Sequence, residues 1–147
     1  MFRNRGRRAA GRRLKDMTTQ PPGEPAWEPD PATVASNETY PVTLPGPPPS
    51  ENRVMARLAL DAEDRLLEFA LIQQTRREGQ WLDVLEADSK HGSVHVHRLI
   101  RSTCRRVGQP EVLKRIERLA DVQDGYNQAY SFVVDNWREQ VRRWNDG

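Results

Sequence analysis

Residues Trp81 to Leu99 read WLDVLEADSKHGSVHVHRL and hold all three histidines of the chain, His91, His95 and His97. Two runs that alternate apolar with polar residues flank an Asp88-Ser89-Lys90-His91-Gly92 turn, the pattern of a β-hairpin with one buried and one exposed face. Side chains in a strand repeat with period two, so Val94 and Val96 share one side and His95 and His97 the other. With the valines in the core, the two histidines are expected to face solvent.

Working outward, Arg53 to Leu60 alternates in the same way and reads as a strand, closed by the polar turn Asp61-Ala62-Glu63-Asp64. Leu66 to Gln74 reads as a second strand, apolar on both sides and therefore central. Thr75 to Gln80, with Gly79, is the next turn. After Arg101 the period changes. Pro110 stands at a first helical position before Val112, Leu113, Ile116, Leu119 and Ala120, which follow helical spacing. Asp124-Gly125 interrupts that pattern, and Tyr126, Ala129, Tyr130, Val133, Trp137, Val141 and Trp144 then form one helical stripe. The expected fold is α+β: a four-stranded antiparallel meander over about 53 to 100, with two C-terminal helices (about 110 to 121 and 124 to 144) on one face.

The 147 residues are unevenly composed. Ten of the eleven prolines lie in residues 1 to 50, which carry almost no apolar periodicity, so residues 1 to 50 are expected to be a disordered tail and 51 to 147 a small domain. Charge is uneven too. Arg3, Arg5, Arg7, Arg8, Arg12, Arg13 and Lys15 come before any acidic residue, whereas from 51 onward acids and bases balance. A single cysteine, Cys104, excludes an intramolecular disulfide and a four-cysteine zinc site. No apolar run reaches membrane-spanning length and no apolar segment follows the basic start, so no membrane partner is expected and the cytoplasm is the expected location.

The basic start reads as an arm able to contact nucleic acid through its charge, with Arg3, Arg5, Arg7, Arg8, Arg12 and Arg13 as the contacts. Residues 18 to 50 form a proline-rich linker favouring polyproline II, and Pro22-Gly23-Glu24-Pro25 and Pro45-Gly46-Pro47-Pro48 both fit the PxxP pattern. Trp27, Tyr40 and Val42 are the residues there with most to bury, and Tyr40 to Leu44 could add an edge strand.

Taken together, Trp81, the Asp88 to His97 hairpin (DSKHGSVHVH), Asn136-Trp137 and Arg142-Arg143-Trp144 give residues of about 52 to 147 a likeness to a known group. That part of the chain resembles an uncharacterised family of small bacterial domains of unknown function. The family shares an Asp-x-x-His-Gly-x-Val-His-x-His hairpin and a C-terminal Asn-Trp helix. The resemblance implies a shared domain boundary and hairpin and transfers no activity.

The hairpin is where chemistry concentrates. His91, His95 and His97 with Asp88, and Asp83 and Glu86 nearby, are ligand types for a divalent transition metal. A water completing such a site would be activated for hydrolysis. Read structurally, His91-Gly92 closes the turn and His95 and His97 make cross-strand pairs. There is no phosphate-cradling glycine loop, nucleophile elbow or Cys/His dyad. Three readings follow: an accessory module binding a macromolecular partner through the histidine face or an open sheet edge; a metal-dependent hydrolase or nuclease; and nucleic-acid binding by the N-terminal arm.

Overall fold

The structure is a computed structural model that describes residues 27–46 and 50–147. Among the described residues, six strands form one antiparallel sheet in strict chain order: β1 (Ser36–Thr43), β2 (Asn52–Leu60), β3 (Leu66–Arg77), β4 (Gln80–Asp88), β5 (Ser93–Leu99) and β6 (Arg106–Arg115). One helix, α1 (Leu119–Asp146), follows and lies across a single face. The class is α+β with an antiparallel sheet, as expected. The strand and helix counts differ from the expectation, each for a physical reason.

Residues 110 to 115, expected to open a helix, belong instead to β6, which pairs with β5 through His95–Val112 and Val96–Glu111. A ten-residue segment with three apolar positions satisfies helical and strand periods alike, and here the unpaired edge of β5 decides between them. Pro110 is tolerated because β6 is an edge strand with an irregular register around Val96 to Arg98, where Gly108 adopts a φ of +70°. Ser36 to Thr43, expected within the proline-rich tail, is the opposite edge strand and pairs with β2 along its whole length. Leu44 donates its N–H to the Asn52 carbonyl, continuing the β1–β2 register. Hydrogen-bonded pairs recur every second residue, so the nitrogen of Pro41 faces the open side and no ladder bond is lost. Both rims therefore carry a proline, which blunts them against further strand addition.

The second expected break, Asp124-Gly125, lies inside the continuous helix. Gly125 is there for space, since a Cβ on it would come within 2.5 Å of Val94 Cγ2 on β5. The helix begins where Asp121 accepts the Glu117 N–H at 3.0 Å, a side chain in the first turn reaching back past the cap. The stripe of Ala129, Val133, Trp137 and Trp144 is buried as expected, joined by Val122 and Gln140. It packs on Val54, Ala56, Phe69, Leu71, Leu85, Ala87, Val94 and Val96 from the four inner strands. Gln73, fully buried on this face of β3, donates its amide to the Trp137 carbonyl at 3.0 Å and ties the sheet centre to mid-helix. Arg98 reaches across from β5 to the Gln140 side-chain oxygen.

Two substitutions test this packing. Trp137→Ala should cost about 3 to 5 kcal/mol, a large share of the stability of so small a domain. Gly125→Ala raises intrinsic helix propensity by about 1 kcal/mol, yet it should lower the melting temperature because the new methyl meets Val94. Adding Val94→Ala should recover part of that loss. A Gly125→Ala melting temperature above that of the original protein would show that α1 does not approach β5 so closely.

Candidate metal centre

The hairpin of β4 and β5 is held by its turn and by both neighbouring strands. The Asp88 carboxylate accepts the Lys90 N–H at 3.1 Å, and His91 (φ 60°) and Gly92 (φ +80°) turn the chain through the left-handed region. Ser89 fixes the turn to β3, its hydroxyl accepting the Phe69 N–H at 3.0 Å while its own N–H donates to the Phe69 carbonyl at 3.2 Å. Gly92 accepts the Ile116 N–H at 2.9 Å, fixing the turn to the end of β6 as well.

On the face away from α1, register aligns Arg57, Ala70, Asp88, His95 and Val112 across β2 to β6, with Glu86 and His97 paired in the next row. Asp88, His95 and His97 bring one ligand atom each to within 4.8 Å of one another. His95 Nε2 lies 3.4 Å from Asp88 Oδ1, and His95 Nδ1 lies 3.1 Å from the Ser93 hydroxyl. The two imidazoles meet edge to face with centroids 4.8 Å apart. A separation of 3.4 Å is long for a hydrogen bond. It matches the edge of a tetrahedron with bonds of 2.0 to 2.1 Å, about 3.4 Å. Ser93 is the kind of second partner that fixes the ring orientation of a ligating histidine.

Burial corrects the expected exposure of the pair. Val94 and Val96 face the core and the histidines share the opposite side, but His95 is only 4% exposed and His97 is half-buried. The reason is β6: β5 is an interior strand, and side chains on both flanks cover the imidazole. His91 is exposed on the turn and stands outside the ligand group. Asp83 accepts from the Gln74 amide at 2.7 Å, and Glu86 accepts from Arg106 at 3.1 Å, so neither is directed into the cluster. Ser93 and Arg106 were not singled out in the sequence. Ser93 carried a usable signal in its position two residues before His95 on the same face, whereas Arg106 becomes a neighbour only through the β5–β6 pairing.

Burial lowers the pKa of His95, partly offset by Asp88. Burial also lowers that of His97, with Arg106 and His95 adding to the effect. Both rings are therefore neutral at pH 7 with a lone pair to offer. The basic arm from Arg3 to Arg13, read as a nucleic-acid contact, lies outside the described residues. Comparison of the chain with protein-family models, with curated proteins and with solved structures finds no match. Among the described residues, no helix is long and apolar enough to cross a membrane.

The depressed histidine pKa values carry a sign. The unfolded chain takes up protons near the ordinary value of about 6.5 while the folded chain resists them, so stability is full above that pH and falls as the pH drops below it. Metal-free protein should melt progressively lower from pH 7.5 to 5.5, and His95→Gln should flatten that slope. His95→Gln should also cost about 1 to 3 kcal/mol at pH 7.5, because it disturbs a buried polar group between Ser93 and Asp88. His97→Gln should cost less. A His95→Gln protein as stable as the original would place the ring in solvent.

Proposed function

We propose that this protein is a divalent-metal-binding module, with Asp88, His95 and His97 as the protein ligands and Ser93 orienting His95. The observation that carries the reading is the convergence of two imidazoles and a carboxylate within 4.8 Å, two of the three residues being buried. One carboxylate and two neutral imidazoles suit zinc, nickel or manganese. Three protein ligands leave a fourth position for water, the arrangement in which a metal lowers the pKa of that water and makes it a nucleophile. A hydrolytic or nucleolytic role belongs to this reading.

A second reading, partner binding as an accessory module, is favoured by the face next to the cluster, which α1 does not cover. A groove of about 240 Å³ runs there over Ala59 and Ala70, between Arg57, Glu68, Glu86 and Lys90. Its mixed charges suit a polar macromolecular surface. The prolines at both rims speak against recruitment through an added strand.

Metal titration separates the readings. Zinc, nickel or manganese at 100 times its dissociation constant should stabilise the original protein by about 2.7 kcal/mol, and one equivalent should remain after dialysis. His97→Gln, a change at a half-buried position, should fold and lose both effects. If none of the three ions moves the melting temperature at pH 7.5, the metal reading is wrong and the groove reading stands.

A further inference from the structure

The open side of the Asp88–His95–His97 cluster has a guanidinium beside it. Glu86 on β4 is the strand neighbour of His97 on β5, and Arg106 on β6 donates to the Glu86 carboxylate at 3.1 Å. Neighbouring strands lie about 4.8 Å apart, so the Arg106 side chain spans the width of β5 to make that bond, on the face that carries His97. Glu86 engages the guanidinium through Nη2, which leaves the rest of the fork to bind an anion. The Arg106 side chain is 54% exposed, and an ion pair so open to water does little to hold a fold.

Glu86 also forms the near wall of the groove of about 240 Å³ that runs over Ala70 and Ala59 to Arg57. Of the three carboxylates lining it, Glu86 is taken by Arg106, which leaves Glu38 and Glu68 to set against Arg57 and Lys90. Asn37 and Thr39 add neutral donors and acceptors. Such a lining offers hydrogen bonds to hydroxyl groups and no excess of positive charge for a second anion.

We propose that the ligand of this centre is a small phosphate monoester, its phosphate held between the metal and Arg106 and its hydroxylated alcohol part in the groove. The proposal rests on the metal reading. A metal takes one oxygen of an anion and a guanidinium fork takes two. A phosphate monoester has three free oxygens, whereas a carboxylate has two. Size selects the alcohol part: about 240 Å³ is less than the roughly 300 to 1,000 Å³ of pockets for drug-sized ligands, which suits a short polyol or a single sugar.

Calorimetry on the zinc-loaded full chain tests this, with ribose 5-phosphate as the probe and the zinc content measured before and after. Ribose 5-phosphate should bind, and acetate should not displace it. Arg106→Gln should weaken that binding by about tenfold or more. Its zinc affinity should hold or rise, because a positive charge beside the cation has gone. Arg106→Lys, which keeps the charge and loses the fork, should recover part of the loss. Arg57→Ala/Glu68→Ala should reduce ribose 5-phosphate to the affinity of methyl phosphate and leave methyl phosphate unchanged. A chain that holds zinc and ignores ribose 5-phosphate overturns this proposal and leaves the metal reading standing; a chain that takes up no metal overturns both. Equal binding by the zinc-free chain, or by Arg106→Gln, overturns the placement of the phosphate. A single-stranded oligonucleotide that binds more tightly than ribose 5-phosphate overturns the small ester in favour of a polymer.

Discussion

The pairing of β6 onto the outer edge of β5 is the interaction on which the candidate site depends. Without it β5 would be a rim strand, with His95 and His97 in water on one face and an open ladder on the other side. With it, β5 is interior, flanked by β4 and β6. Its valines then meet α1 and its first histidine is enclosed on the opposite face. The same pairing sets the start of the helix, because Ile116, the residue just beyond β6, hydrogen-bonds back to Gly92 in the turn. A turn tied at once to β3 through Ser89 and to the end of β6 through Gly92 has little freedom to move Asp88 away from His95.

Enclosure gives the cluster its electrostatic character. Desolvation disfavours imidazolium more than the adjacent carboxylate favours it, so the rings stay neutral in a place where a protonated histidine would otherwise have paired with Asp88. A neutral imidazole next to a carboxylate is a donor set for a cation; the Ser93 hydroxyl holds His95 from its far side, at Nδ1, while the Lys90 N–H holds Asp88 at Oδ1, the oxygen that faces His95. His97, half-buried and paired with Glu86, whose carboxylate accepts from Arg106, is the member of the set nearest to solvent.

The two faces of the sheet differ in what covers them. The helix face is closed by a hydrophobic seam that is tight enough at Val94 to require glycine on α1. At its β1 margin that seam runs out beside the open Tyr40 and the half-buried Tyr126 and Tyr130. Among the described residues, α1 does not cover the opposite face, which holds the histidine cluster and the alanine-floored groove. A proline in each edge strand blunts both rims against the addition of a further strand.

Much of the central fold was legible in local pattern. The alternation in Arg53–Leu60, the two-sided apolar run from Leu66, the hairpin at Asp88–Gly92 and the stripe from Ala129 to Trp144 each repeat with the period of one element type, and a period is a property of the sequence alone. So was the division of β5 into a valine side and a histidine side. Local pattern could not say what lies beyond a strand's edge. Residues 106 to 115 have no strong period of their own and become a strand because β5 offers them an unpaired ladder, and Ser36–Thr43, proline included, is recruited by β2 in the same way. Gly125 reads locally as a break and is in fact a close contact with a residue thirty-one positions earlier. The burial of His95, and with it the convergence of Asp88, His95 and His97, was likewise decided only by tertiary structure, because the groups that exclude water from that ring arrive from strands on both sides.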